Sequence, residues 1–268
     1  MDAEHLRQIE RVYSSEHYGL YEQLDVSLDP RGPSMLLEAA GPYLTATSRV
    51  LDIGCRDARY LIELVQTHGC RGVGLDPLDW HIEQALHAVA EAELSDRIDV
   101  TKGVMQHIQE PTDSFDFIWC RDVLVLVDEL EECMREAARV LASRGTMLAY
   151  TNVATDLLEP KEATRLNTQL GNVARNFDES VVESAFTSAG LMIDRKDVIG
   201  TEWREFEEER ERPVSQSLLR LARLRRRRAE ITELYGEDVC ERAEASLHWL
   251  AYQLLGKLKP VLYVLEQG

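Results

Sequence analysis

A doubly wound α/β fold with a parallel sheet is predicted from three observations. From about residue 46 onward, short β-rich runs alternate with amphipathic helical stretches at the spacing of parallel βαβ units. The first run, Val50-Leu51-Asp52-Ile53-Gly54, gives way to a glycine where a helix begins. The second, Gly72-Val73-Gly74-Leu75-Asp76, closes on a carboxylate.

Taken in order, residues 1–45 show helix-like apolar spacing, broken at Asp29-Pro30-Arg31-Gly32-Pro33 and again at Gly41-Pro42, as expected of an N-terminal helical cap. Strands are then expected at Arg49–Gly54, Gly72–Asp76, Ile98–Thr101, Phe115–Cys120, Thr146–Thr151 and Leu191–Ile199. Helices are expected at Ala58–His68, Trp80–Glu93, Glu129–Leu141 and Asp178–Ala189. Residues 206–258 read as wholly helical, and Pro260–Leu265 returns to a β-run. The domain reading is therefore a cap (1–45), a core (46–205 and 259–268) and a helical lid (206–258) inserted before the last strand.

Bulk properties exclude several function classes. The 268 residues carry a formal charge of −18, a field that repels phosphate backbones and anionic membranes. Neither nucleic acid nor membrane is an expected partner. The basic cluster Arg223, Arg225, Arg226, Arg227 and Arg228 follows the acidic run Glu207–Glu211 and reads as a solvated helical face. The five cysteines form no C-x-x-C pair or other zinc spacing, so reduced cytoplasmic thiols and no metal are expected. An N-terminus without an apolar core gives no expectation of targeting or anchoring.

Chemistry concentrates at the strand ends. A glycine after the first strand lets the backbone turn tightly against a ligand, and the helix that follows offers free N–H groups. An acid at the tip of the second strand is placed to accept hydrogen bonds from both ribose hydroxyls of a nucleoside cofactor. G-x-G-x-x-G is absent after the first strand, and G-K-[ST] is absent throughout, which disfavours a nicotinamide enzyme and a P-loop.

Four segments in order resemble the seven-stranded, Rossmann-like S-adenosylmethionine-dependent methyltransferase family. Leu51-Asp52-Ile53-Gly54-Cys55 is similar to its first motif and Gly74-Leu75-Asp76 to its ribose acid. Ser114–Cys120 looks like its fourth strand, and Arg139–Gly145 like the turn before its fifth. The resemblance implies a cofactor, S-adenosylmethionine, with S-adenosylhomocysteine as product, bound by Asp52, Gly54, Cys55, Arg56, Asp76, Pro77, Val104, Met105, Gln106, Cys120 and Arg121. The chain departs from the family pattern in three places. Arg56 and Ala58 stand where glycines are usual, Gln106 follows the third strand where an acid is common, and Leu126 holds the position of a frequent histidine.

Methyl transfer is an in-line displacement that asks an enzyme for alignment, a dry pocket and sometimes a base. Candidates for catalysis are His107, Asp122 and His248; for the acceptor, Tyr18, Tyr21, Asn152, Trp203, Trp249 and Tyr252. On a helix Trp249 points away from the stripe formed by Leu247, Leu250, Ala251 and Leu254, so a second buried face is expected against an acceptor pocket, another subunit or the same domain. The expected partner is a small-molecule acceptor, with a homodimer through the insert as a possibility. Two rivals stand beside methyl transfer: a non-methylating step on the same cofactor fold, and a binding protein with a degenerate site.

Overall fold

A computed structural model describes residues 2–268. Its centre is a seven-stranded sheet in the order β3-β2-β1-β4-β5-β7-β6. The strands are β1 (Arg49–Ile53), β2 (Arg71–Asp76), β3 (Ile98–Lys102), β4 (Phe115–Arg121), β5 (Leu141–Ala154), β6 (Leu191–Val198) and β7 (Leu258–Gln267). All pairings are parallel except those of β7, which runs antiparallel between β5 and β6. Strand order reverses between β1 and β4, and open α/β sheets bind ligands outside the carboxyl ends at such a point.

Helices cover both faces. α3 (Ser34–Ala40), α4 (Arg59–His68) and α5 (Asp79–Glu91) pack on one, burying Leu36, Leu61, Leu64, Val65, Ala85 and Val89. The i, i+3, i+4 spacing of Leu61, Leu64 and Val65 sets the buried stripe of α4. α6 (Leu130–Val140) and α8 (Glu179–Ser188) cover the other with Leu130, Cys133, Met134, Ala137, Val182 and Phe186. α7 (Pro160–Leu170), absent from the sequence reading, carries a local signature. Glu159 and Glu162 form a reciprocal capping box, Pro160 occupies the first turn and Gly171 ends the helix at φ 70°.

The N-terminal helices α1 (Ala3–Val12) and α2 (Ser15–Leu24) bury no residue, so of the expected cap only α3 and the turn after it, through Leu44, join the core. Four helices separate β6 from β7: α9 (Glu202–Arg210), α10 (Pro213–Arg226), α11 (Arg228–Tyr235) and α12 (Glu237–Leu254). A third apolar cluster of Val125, Leu166, Phe177, Tyr252 and Leu258, with Trp249 against it, seats α12 on α7 and the sheet. No helix among the described residues is long and apolar enough to cross a membrane.

Candidate active site

Three cavities meet at the carboxyl ends of β1, β2 and β4. The first, about 510 Å³, is lined by Gly54, Asp76, His81, Met105 and Leu126 among others. The second, about 170 Å³, lies between Asp52, Asp57, Arg59, Tyr60 and Arg121. The third, about 490 Å³, opens between α3, α4 and α9 beside Leu37, Tyr60, Trp203, Phe206 and Arg210. Arg121 lines all three.

The β1 turn keeps a glycine-loop backbone with only the first of its glycines. Gly54, Arg56 and Ala58 all have left-handed backbone, with φ of 74°, 51° and 58°. A Cβ on Gly54 would sit 2.4 Å from Val123, so glycine is required there. At the other two positions the same conformation is held by side-chain-bearing residues, at about 1–2 kcal/mol each. Asp122, just after β4, is likewise left-handed at φ 58°.

Asp76 is buried and already well supplied with donors. Its Oδ2 accepts the Arg56 N–H at 3.1 Å, and its Oδ1 accepts the Leu78 N–H at 3.0 Å and meets His81 Nδ1 at 3.0 Å. With two acceptor positions on each oxygen, Oδ2 alone retains a free one. Simultaneous acceptance from two hydroxyls would require His81 to move. The sequence reading missed His81; its place in the first turn of the helix after Asp76 was the available signal.

Asp52 is buried at the end of β1 without a side-chain hydrogen bond among the described residues, and burial pushes its carboxyl up to about 8, against the pull of Arg121. The Arg121 guanidinium lies 4.5 Å from the Tyr60 ring and 5.2 Å from Trp203. Its Nε is buried and unpartnered, 3.6 Å from Asp122 Oδ2, too long for a hydrogen bond. Asp122 keeps 43% of its side-chain surface open to the crevice, yet its surroundings push the carboxyl up, while Arg121, Arg204 and Asn152 draw it down.

Of the residues named from the sequence, Asp52, Gly54, Cys55, Arg56, Asp76, Pro77, Val104, Met105, Gln106, Arg121 and Asp122 line these cavities, and Trp203 walls the third. Several do not. Cys120 is wholly buried in the core on the α6 face, because alternate side chains of β4 point to opposite faces. His107 is exposed and bridges Val104 through backbone, outside all three cavities. His248 turns Nδ1 onto the Glu244 carbonyl of its own helix at 2.6 Å. Trp249 packs at 6.1 Å, edge-on, against Phe177, and Tyr252 is buried beside it, so the second face of α12 is internal packing and neither residue reaches the crevice. Tyr18 and Tyr21 are half exposed and touch only His17 among aromatic partners. Asn152 is buried one layer below the crevice, bonded to Asp122.

The profile of a family described as "Methyltransferase domain" matches residues 28–194, more than half of the chain. Among curated relatives, the sterol 24-C-methyltransferase of Aspergillus fumigatus is 29% identical over 163 residues, 56% of this chain and 43% of that protein. The chain thus spans about two-fifths of the length of the curated relatives it matches. Among solved structures, the [4+2]-cyclase SpnF superposes with a TM-score of 0.69 at 18% identity, over 87% of this chain and 80% of that one. A putative sarcosine dimethylglycine methyltransferase from Galdieria sulphuraria gives 0.67 at 20% identity, over 87% and 83%.

Proposed function

Because this chain belongs to the methyltransferase-domain family, we propose that it binds S-adenosylmethionine in the crevice at the β1, β2 and β4 ends and transfers its methyl group to a small acceptor held beneath α9. The observation that carries this reading is the pairing of two cavities of different character at one strand switch. The larger offers an acid with one free acceptor position and a mostly apolar wall, as a nucleoside requires. The smaller sets the Asp52 carboxyl, which a ligand ammonium would ionise, against Arg59 and the partnerless Arg121 Nε, as an amino-acid zwitterion requires. When bound, the cofactor supplies an electrophilic methyl group. The chain's own part is to orient it through Asp76 and Asp52, and to set an acid-base candidate, Asp122, where the two cavities meet.

The volume of the third cavity and its mixed lining of Trp203, Phe206, Arg210 and Glu207 support a small acceptor with both apolar and polar parts. The net charge of −18 argues against a nucleic-acid acceptor or an anionic membrane surface, and five buried, unpaired thiols support a reducing, cytoplasmic setting. Since Trp249 packs inward, a homodimer through the insert loses the aromatic anchor that motivated it. A structural neighbour that is named a cyclase keeps a non-methylating step as the second reading. Incubating the chain with methyl-labelled S-adenosylmethionine and a panel of small hydroxyl, amine and alkene acceptors tests the proposal. Acceptor-dependent release of S-adenosylhomocysteine with label in the product supports it; acceptor conversion without label transfer supports the second reading.

A further inference from the structure

We propose that a buried chain of side-chain hydrogen bonds from the inserted helices favours the ionised form of Asp122, and that this charge shifts the preference of the crevice toward the cationic cofactor and away from its neutral product. The inference deepens the cofactor reading and rests on it. Gly54, Arg56, Arg121 and Asp122 are the residues that line both the nucleoside cavity and the amino-acid cavity. A ligand joining a nucleoside to an amino acid through a sulfonium carries its positive charge across that junction. Two of the four junction residues are guanidinium groups, which oppose such a charge. Asp122 is the one carboxylate among them, so its ionisation halves the net positive charge that a cation meets at the junction.

The chain of bonds favours that ionisation by the direction of its donors. Arg204, in the first turn of α9, can only donate, and its Nε–H reaches Gln253 Oε1 at 2.6 Å. Gln253, in the last turn of α12, donates Nε2–H to Asn152 Oδ1 at 2.6 Å. Asn152, on β5, donates Nδ2–H to Asp122 Oδ1 at 3.0 Å. With a cation at the far end, neither amide can turn over without setting donor against donor or acceptor against acceptor. The last donor therefore always faces Asp122 and favours its charged form. Asn152 and Gln253 are buried, so water does not compete for these bonds. Glu207 pairs with Arg204 from its other side and accepts the Trp203 indole N–H at 2.9 Å, which carries the chain to the wall of the acceptor cavity. Gln253 is thereby a positioning residue, acting on the crevice only through Asn152 and Asp122.

Calorimetric titration of the full chain with S-adenosylmethionine and with S-adenosylhomocysteine gives a ratio of dissociation constants that a merely loosened site would leave unchanged. The isosteric Asp122→Asn should lower the preference for S-adenosylmethionine about tenfold, the scale of one close, partly screened charge pair. Gln253→Leu and Gln253→Glu should each lower it about threefold. In the second variant an ionised carboxylate cannot donate, so Asn152 turns over and presents its carbonyl to Asp122. If Gln253→Leu melts far below the parent, Gln253→Glu, which keeps the volume and the Arg204 bond, carries the test. Equal weakening of both ligands by Asp122→Asn, or no change in either, overturns the inference while leaving the cofactor reading intact. No measurable binding of either ligand to the unaltered chain overturns the cofactor reading, and the inference with it.

Discussion

The carboxyl rim of the sheet and the helical insert handle charge in opposite ways. In the insert, Arg225 and Arg228 share Glu244, Arg228 also meets Glu237, and Arg227 pairs with Glu230. Three of the five arginines of the basic cluster are thus answered locally by acids of the same block. At the rim, the Arg121 side chain makes no hydrogen bond and stands 3.6 Å from Asp122, Arg56 makes no ion pair, and Asp52 is buried without a donor, all among the described residues. Of the seven left-handed non-glycine residues among the described ones, three, Arg56, Ala58 and Asp122, lie in the same place, against one, Arg212, in the insert. Polar groups short of hydrogen-bond partners and strained backbone both lower stability, so their presence together marks where a ligand would supply the missing partners. Paired charge on the insert marks architecture and the wall of a cavity.

The largest effect that would break this contrast is at Asp76. Asp76→Ala should weaken S-adenosylmethionine binding by about 2–3 kcal/mol, the loss of a charge-assisted hydrogen bond together with the anchor of the Arg56 and His81 contacts. Calorimetry showing unchanged affinity would remove the rim from the account of cofactor binding.

Asp52 sharpens the contrast through pH. Its carboxyl stands near 8 in the folded chain against an ordinary 3.8, so between these values the folded state holds a proton that the unfolded chain has released. Without ligand, stability should therefore fall as pH rises through that window, by at most about 1.4 kcal/mol per pH unit, and level off above it. Asp52→Asn should flatten the decline in urea-unfolding midpoints measured from pH 5 to 9. A decline of equal slope in the variant would place the responsible group elsewhere.

At Arg56 two consequences separate. Arg56→Gly should raise unfolding stability by about 1 kcal/mol by relieving the left-handed backbone. The same change should reduce affinity for the cofactor, since it removes a cation from the amino-acid end. Tighter binding by the variant would make Arg56 an obstruction and favour the reading of a degenerate site.

The smallest effect belongs to the insert. Glu244→Gln removes the partner of one exposed and one half-buried arginine and should cost no more than about 1 kcal/mol in a chemical denaturation curve. A loss several times larger would show that the insert depends on its charges as the rim does.

How much of this was legible in the sequence followed the range of the signal. The strand alternation, the β1 turn and the acid at Asp76 are local patterns, and each falls where its residues predict. Contacts between distant segments carry no such pattern. Gln253 meets Asn152 across 101 positions and Arg204 across 49, which no helical periodicity announces. The wheel of α12 correctly gives Trp249 a second buried face, but which neighbour fills it depends on α7 and Phe177, and α7 itself was missed. Tyr18 and Tyr21 illustrate the converse, since aromatic side chains on α2 offer apolar surface without any buried residue to seat them.

The most direct test of the whole account is a crystal structure of the chain soaked with S-adenosylhomocysteine. The account predicts one molecule spanning the two rim cavities. A ribose hydroxyl should lie on Asp76 Oδ2, the adenine among Val104, Met105, Gln106 and Leu126, and the amino-acid end between Asp52 and Arg59, with the cavity beneath α9 left free. Density for the ligand confined to the cavity beneath α9, or a molecule whose ribose avoids Asp76, would contradict it.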